Sequence, residues 1–120
     1  MRIYVCHSRS FDYVNELYRP IRQHFPEDGP VFVFPHENGI NEDSRAVIPS
    51  CQLVVADVSV PATGVGIELG RAEAAGIPIA CIHRSGTAPS SSLKRLTRVF
   101  REYDSQESML AAIDDILRSY

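Results

Sequence analysis

The chain has 120 residues, which is enough for one domain with a single hydrophobic core, and we expect residues 1–120 to form that domain. Hydrophobic residues make up 44% and charged residues 22%, as is usual for soluble globular proteins, and a formal net charge of −3 argues against a protein that coats a nucleic-acid polymer. No apolar run approaches membrane-spanning length and the N-terminus does not resemble a signal peptide, so we expect a cytoplasmic protein without membrane contact.

The first part of the chain predicts a strand followed by a helix. Arg2 to Cys6 forms the strand, and the alternation of its side chains places Tyr4 and Cys6 on the same face. We expect Ser10 to cap a helix, and Pro20 to kink it or break it into two pieces. The apolar residues of this helix recur at spacings of three and four, and we expect them to point inward: Phe11, Val14, Leu17, Ile21 and Phe25.

The middle of the chain alternates strands with helical segments. Short apolar runs predict three further strands, at residues 31–34, 52–57 and 78–82. Residues 35–39 form a loop, and residues 40–50 are weakly helical. The helix that follows the third strand carries Val65, Leu69 and Ala72 at helical spacing, and Gly76 and Pro78 stop it.

The C-terminal part predicts an edge strand and a well-marked helix. Residues 84–92 form a loop rich in Ser, Gly and Pro, and residues 98–103 form a short, charged strand that suits the edge of a sheet. Asp104 and Glu107 are expected to form a capping-box-like start of the last helix. The apolar face of that helix consists of Met109, Leu110, Ile113, Ile116 and Leu117.

Strands that alternate with helices predict an α/β fold. We expect a three-layer sandwich with a five-stranded parallel sheet, flavodoxin-like or Rossmann-like, with strand order 2-1-3-4-5. In such a sheet, ligands bind at the carboxyl ends of the strands, near the point where the strand order reverses. That crevice would bring together residues 7–9, residues 59–66 with Glu68, and the loop after Phe34.

Glu68 is the main candidate for a reactive group. It falls in the first turns of the helix after the third strand, where the positive end of the helix dipole would keep a carboxylate ionised and suit it to act as a nucleophile. Acidic residues are also common in this position simply because they stabilise helices. The nearby Gly64 and Gly66 could cradle a phosphate, although Leu69 occupies the place of the last glycine in a dinucleotide-binding fingerprint.

The cysteines and histidines do not indicate a metal site. The three cysteines are an odd number, each lies in or beside an apolar run, and no two have C-x-x-C spacing. The four histidines are scattered, without the spacing of zinc-binding motifs. We therefore predict reduced cysteines, no disulfide framework and no bound metal.

Residues 54–72, with the sequence VVADVSVPATGVGIELGRA, resemble the core motif of the nucleoside 2-deoxyribosyltransferase superfamily. The resemblance is closest to the branch of 2'-deoxynucleoside 5'-phosphate N-hydrolases, and residues 3–9 resemble the opening strand of that family. It implies that Glu68 is the nucleophile that attacks C1' of the sugar and that the Tyr4 hydroxyl donates a hydrogen bond to Glu68. It also implies that no metal or organic cofactor is needed.

The resemblance also implies a second acidic group, which protonates the leaving base or guides water. The family has an Asp about two dozen residues before the nucleophile, but ungapped alignment places Ser44 there, with Glu42 and Asp43 just upstream. We favour Asp43, which would require the loop register to shift by one residue.

The remaining substrate contacts are predicted from the turns after the strands. Where the family's hydrolases have a phosphate-binding Ser before the nucleophile, this chain has Ala62, and Thr63 is the candidate substitute. A later Ser of the family often reaches in from a partner subunit, which here would be Ser91 or Ser92 and predicts a homodimer or a higher homo-oligomer. The full set of expected substrate-binding residues is His7, Ser8, Arg9, Ser59, Thr63, Gly64, Gly66, Ser91 and Ser92.

These expectations define one main function and one alternative. The main function is cleavage of the N-glycosidic bond of a (deoxy)nucleoside or nucleoside monophosphate through a Glu nucleophile, by hydrolysis or by base exchange. The alternative is a non-catalytic nucleotide-sensing module, or a TIR-like module that binds NAD or a nucleotide, because residues 3–8 also resemble a TIR opening strand.

Overall fold

The computed structural model describes all 120 residues, and its centre is a five-stranded sheet with the order β2-β1-β3-β4-β5. All neighbouring strands are parallel, which confirms the predicted α/β fold and strand order. The strands are Arg2–Cys6 (β1), Val31–Val33 (β2), Leu53–Asp57 (β3), Ile79–Arg84 (β4) and Phe100–Tyr103 (β5).

Helices cover both faces of the sheet. The α-helices are Arg19–His24 (α1), Ser44–Val47 (α2), Thr63–Ala74 (α3) and Gln106–Arg118 (α4). A π-helical segment, Val14–Tyr18, precedes α1, and three 3-10 segments lie at Glu37–Gly39, Ile48–Ser50 and Ser91–Arg95. None of the helices has the length and apolar character needed to cross a membrane.

The alternation of side chains along β1 divides the core into two layers. Ile3 and Val5 pack with residues of α1 and α4, whereas Tyr4 and Cys6 pack with residues of α3 on the opposite face. Gly76 ends α3 in the left-handed conformation, with φ of 71°, and β4 begins three residues later. This connection fixes α3 above β1, β3 and β4.

The first helical region differs from the prediction at its start. It begins at Val14, and Ser10 does not cap it: the Ser10 hydroxyl is hydrogen-bonded to the Ser8 hydroxyl, and the Asn15 N–H donates to Asp12 Oδ1 at 3.3 Å. Val14, which we expected to point inward, is 43% exposed. The predicted interruption at Pro20 is confirmed: proline has no N–H to donate four residues back, and the turn before it is π-helical, with the Arg19 N–H bonded to the Val14 carbonyl.

The start of α4 also differs from the prediction. Its N-cap is Ser105, whose hydroxyl accepts the Ser108 N–H at 3.0 Å, while the Ser108 hydroxyl accepts the Ser105 N–H at 3.0 Å. The expected pair, Asp104 and Glu107, is one residue too early because Ser105 is the last residue with extended backbone. Asp104 instead accepts a hydrogen bond from the Ser108 hydroxyl.

The bounds of β4 and β5 differ from the prediction by up to two residues. β4 continues to Arg84, because His83 and Arg84 pair with Glu102 and Tyr103 of β5. β5 begins at Phe100 and not at residue 98.

The Ser105–Ser108 cap predicts a measurable contribution to stability. Ser105→Ala removes the side-chain acceptor, and we expect the free energy of unfolding to fall by about 1 kcal/mol. Glu107→Gln, which removes only an exposed first-turn charge, should cost less than about half of that. Urea denaturation of both variants measures the difference, and an equal or larger effect of Glu107→Gln would contradict this assignment of the cap.

Candidate active site

The candidate site is centred on Tyr4 and Glu68. Tyr4 is fully buried beneath α3, and its hydroxyl donates a hydrogen bond to Glu68 Oε2. The pairing follows from the alternation of β1, which points Tyr4 towards α3, and from the helical register that buries Val65 and Leu69. The structure therefore brings together the two residues that the sequence singled out first.

The position of Glu68 differs in one respect from the expectation. Glu68 is the sixth residue of α3, which begins at Thr63, so it lies beyond the first turn, where the helix dipole acts most strongly. Its ionisation depends on side chains instead. Burial raises the pKa of Glu68, whereas the Tyr4 hydrogen bond and the positive charges of His36 and Arg71 lower it, and the net direction is upward.

Tyr4 is suited to act as a fixed donor. Burial, followed by the hydrogen bond to Glu68, raises the pKa of the Tyr4 phenol well above its ordinary range. The phenol therefore keeps its proton near neutral pH and occupies one carboxylate oxygen of Glu68. The other carboxylate oxygen of Glu68, Oε1, is left free to react.

Arg71 connects Glu68 to the segment in which the second acid was expected. It lies one turn after Glu68 on α3 and donates a hydrogen bond to the hydroxyl of Ser44, which is buried. Ser44 begins α2, so this contact ties α2 to α3. Arg71 was not among the predicted site residues, and only its spacing from Glu68 could have indicated it.

Asp43, our predicted second acid, makes other contacts. Its Oδ1 accepts the Arg45 N–H at 3.0 Å and caps α2, and the same atom lies 3.2 Å from Arg45 Nε in an ion pair. The side chain is 54% exposed, and hydrogen bonds from Arg45 lower its pKa. A carboxyl group with a lowered pKa is ionised near neutral pH, which does not suit a proton donor. Glu42 is exposed.

A chain of hydrogen bonds crosses the carboxyl ends of β1 and β2. The His7 Nδ1–H donates to the Ser8 carbonyl at 2.8 Å, the Tyr18 hydroxyl donates to His7 Nε2 at 2.5 Å, and the His36 N–H donates to the Tyr18 hydroxyl at 3.2 Å. The directions follow from the two backbone groups, each of which can act in only one sense. His7 is 5% exposed, and burial lowers its pKa, so both the environment and the bonding favour neutral imidazole.

Aromatic rings surround this chain of hydrogen bonds. The His7 ring lies 4.5 Å from that of Tyr13 and 5.7 Å from that of His36, measured between centroids, and Tyr18 stacks on Phe34 at 4.2 Å. The predicted meeting of the β1 turn with the loop after Phe34 is therefore present. Of these rings, the sequence analysis identified His7 as a substrate contact and did not single out Tyr13 or Tyr18.

The predicted glycines and serines lie around the start of α3. A groove of about 370 Å³ is lined by Thr63, Gly66 and Ser92 among others. A Cβ atom added at Gly64 or Gly66 would meet nothing within 4 Å, so the chain leaves the space beside both glycines open. Ala62, at the N-cap position, provides no side-chain acceptor for the first N–H groups of α3.

The remaining predicted substrate contacts lie in other parts of the structure. The Ser59 hydroxyl accepts the Arg84 N–H at 2.9 Å, and the Ser59 N–H donates to Asp57, whose carboxylate also accepts the Tyr103 hydroxyl. These bonds join the ends of β3, β4 and β5 and give Ser59 a structural contact. Ser8 is buried and hydrogen-bonded to the Ser10 hydroxyl. Ser91 and Arg9 are exposed.

Curated relatives confirm the predicted resemblance, whereas no family model matches the chain. Over 91 residues, or 72% of its length, the chain is 34% identical to a Methanosarcina mazei protein proposed to be a 2'-deoxynucleoside 5'-phosphate N-hydrolase, of which it covers 52%. It is 44% identical over 57 residues to the 5-hydroxymethyl-dUMP N-hydrolase of Mus musculus, which is 46% of this chain and 33% of that protein. The Rattus norvegicus enzyme of the same name is 43% identical over 63 residues, 51% of this chain and 36% of that protein.

The chain therefore spans about half the length of the first relative and about a third of the other two. Among solved structures, the Clostridium botulinum CMP N-glycosidase superimposes with a TM-score of 0.66 and 18% identity, over 95% of this chain and 99% of that one. A conserved protein from Enterococcus faecalis V583 superimposes with a TM-score of 0.61 and 20% identity, over 97% and 98% of the two chains. At these identities the two structures support the fold.

The raised pKa of Glu68 predicts a pH-dependent effect on stability. Between the unfolded and the folded pKa the native state holds more protons at Glu68 than the unfolded chain, so its contribution to stability falls as pH rises through this range. Glu68→Gln keeps an acceptor for Tyr4 and removes the buried charge. We expect this variant to be more stable than the wild type at about pH 7 and to lose most of that advantage at about pH 4, just below the ordinary pKa of a Glu side chain, about 4.3.

Urea denaturation at both pH values tests this expectation, with Glu73→Gln on the exposed face of α3 as the matched control. A gain that is larger in acid, or a variant that is less stable at neutral pH, would contradict the electrostatic account of Glu68.

Proposed function

We propose that the chain cleaves the N-glycosidic bond of a nucleoside 5'-monophosphate, with Glu68 as the nucleophile and water as the final acceptor. The observation that carries this proposal is the hydrogen bond from the buried Tyr4 hydroxyl to Glu68 Oε2 at the ligand-binding edge of a parallel sheet. The names of the relatives support this class of reaction, since they are N-hydrolases of nucleotides. They also favour hydrolysis over base exchange.

The first half of the reaction forms a covalent intermediate. Tyr4 holds Oε2, so Oε1 of Glu68 attacks C1' of the sugar while the bond from C1' to the base nitrogen breaks and the base takes the electron pair. The ionised carboxylate is required, and Arg71 and His36 favour that form against the effect of burial. The product of this step is a sugar esterified to Glu68.

The second half releases the sugar. A water molecule attacks C1', the bond to Oε1 breaks, and Glu68 returns to the carboxylate form. Because Tyr4 remains bonded to Oε2 throughout, the carboxylate keeps one orientation in both halves. The chemistry needs a nucleophile, a donor to orient it and a source of protons.

The start of α3 is the proposed binding site of the 5'-phosphate. Its first N–H groups have no side-chain cap, and the absence of Cβ atoms at Gly64 and Gly66 leaves room beside them. A helix N-terminus of this kind favours anions through its N–H groups and its dipole. Thr63, the first residue of α3, adds a hydroxyl where Ala62 provides none.

We also propose a homodimer in which Ser91 and Ser92 complete the partner's site. Successive residues of a helix are about 100° apart, so Glu68 and Gly66 lie on opposite flanks of the buried face formed by Val65 and Leu69. Ser92 lines the groove on the Gly66 flank. We therefore assign the contact between this loop and a sugar at Glu68 to a second copy.

Exposed apolar side chains support this assembly. Val60 and Ile67 are 41% and 50% exposed, beside the groove and on α3 respectively. Apolar surface of this kind is typical of sites that bind a partner when it is contiguous.

The enzymatic proposal predicts base release that depends on Glu68. The purified protein is incubated with 2'-deoxynucleoside 5'-monophosphates, CMP, the corresponding nucleosides and NAD, and free base is measured by chromatography. We expect release from at least one monophosphate, and a loss of about 10⁴-fold or more in Glu68→Gln, because an amide cannot act as the anionic nucleophile.

Glu73→Gln on the same helix is the control and should keep the wild-type rate. A folded Glu68→Gln protein with wild-type turnover would contradict the proposal. Release from NAD alone would instead favour the TIR-like alternative.

The shared site predicts complementation between inactive variants. In a mixture of Glu68→Gln with the double variant Ser91→Ala/Ser92→Ala, each mixed dimer contains one intact site. We expect about a quarter of the wild-type activity after random exchange of subunits. Light scattering confirms the dimer, and confirmed mixed dimers without recovered activity would exclude sharing of the site.

A further inference from the structure

The leaving base needs a proton, and few groups in the structure are suited to supply it. Retaining glycosidases use one group as acid and then as base, in addition to the nucleophile. Asp43 caps α2, pairs with Arg45 and has a lowered pKa, and Glu42 is exposed. Asp43 is therefore already engaged by Arg45, and neither carboxylate is hydrogen-bonded to Tyr4 or Glu68.

We propose that His36 is this acid and base, a role that rests on the function proposed above. His36 follows the carboxyl end of β2, the neighbour of β1 in the sheet, and its ring lies 5.7 Å from that of His7, which directly follows β1. Imidazole is the side chain that most often serves as both acid and base near neutral pH.

The ring of His36 is held in a fixed orientation. Its Nδ1 lies 2.8 Å from Asn41 Oδ1, and its backbone N–H donates to the Tyr18 hydroxyl at 3.2 Å. With Oδ1 as acceptor, Nδ1 carries a proton, and Nε2 makes no hydrogen bond within the chain. Nε2 is therefore the nitrogen that can give a proton to a ligand and take one back.

The loop that carries His36 is anchored from α1. Arg22 donates to both carboxylate oxygens of Glu37, from Nη2 at 2.8 Å and from Nε at 3.0 Å, and its Nη2 also donates to the Phe32 carbonyl at 3.1 Å. The Arg22 guanidinium lies over the Phe34 ring, 4.4 Å from the centroid. This bidentate contact restrains the residue next to His36 and with it the position of the imidazole.

The other titratable groups near Glu68 are less suited to the role. Both ring nitrogens of His7 are engaged, by the Ser8 carbonyl and the Tyr18 hydroxyl, and burial lowers the pKa of His7. Burial raises the pKa of the Tyr18 phenol. Arg71 offers only N–H donors and has no acceptor that could take a proton back.

The proposed reaction conserves atoms and charge in each step. As Glu68 Oε1 bonds to C1' and the C1'–N bond breaks, the proton on His36 Nε2 moves to the departing base, which leaves neutral. His36 is then neutral and accepts a proton from the water that attacks C1', and the departure of Glu68 as carboxylate completes the cycle.

The test compares two leaving groups. One substrate is the monophosphate on which the wild type is most active, and the other is 4-nitrophenyl 2-deoxyribose 5-phosphate, whose nitrophenolate leaves without a proton. We expect His36→Gln to lower kcat/KM on the first by about 10²-fold to 10⁴-fold, and on the second by less than about tenfold. Glu68→Gln should lose activity on both, and His24→Gln, on the far end of α1 and paired with Asp114, should lose neither.

Every outcome of this comparison either supports or contradicts the role of His36 as acid and base. Equal losses on both substrates, or no loss on either, overturn an acid and base role for His36. A wild type that cleaves neither substrate overturns the proposed function first, and the role of His36 with it. Thermal unfolding checks the fold of each variant, and His36→Asn provides the same comparison of leaving groups should His36→Gln not fold.

Discussion

The arrangement of the site depends on the hydrogen bond from Tyr4 to Glu68. It joins residues 64 positions apart, and it requires β1 to present Tyr4 to the face that α3 covers. The same packing brings Arg71, on the next turn of α3, to Ser44 and so attaches α2. A shift of one residue along β1 would turn Tyr4 to the opposite face and remove the donor. The register of the first strand therefore sets the position of the nucleophile.

The environment of Glu68 shows how burial and charge oppose each other. Burial favours the neutral carboxyl group, whereas Tyr4, His36 and Arg71 favour the carboxylate, and the net effect is a raised pKa. A nucleophile in a water-poor site is more reactive than one in water but costs stability when it is ionised. The neutral His7 and the hydrogen-bonded Tyr18 surround the site without adding charge.

The sequence predicted the sheet, its strand order and the Tyr4–Glu68 pair, because these follow from alternation, helical spacing and a motif. It did not predict Ser105 as the cap of α4, since Asp104 has a similar capping chemistry and lies one residue away. The contact of Ser44 was also beyond the sequence, because it depends on Arg71, which comes close only when α2 and α3 pack together. The contact of His36 with Tyr18 joins residues 18 positions apart and had no local signal either.

The central claim is that Glu68 becomes covalently bonded to the sugar. A 2'-deoxynucleotide analogue with fluorine at C2' in the arabino configuration slows both halves of the reaction, so a glycosyl-enzyme can be quenched and digested for mass spectrometry. The account predicts one added sugar phosphate on the peptide that contains Glu68, bonded at that residue. A label on another residue, or base release from the analogue with no covalent adduct at any time, would contradict it.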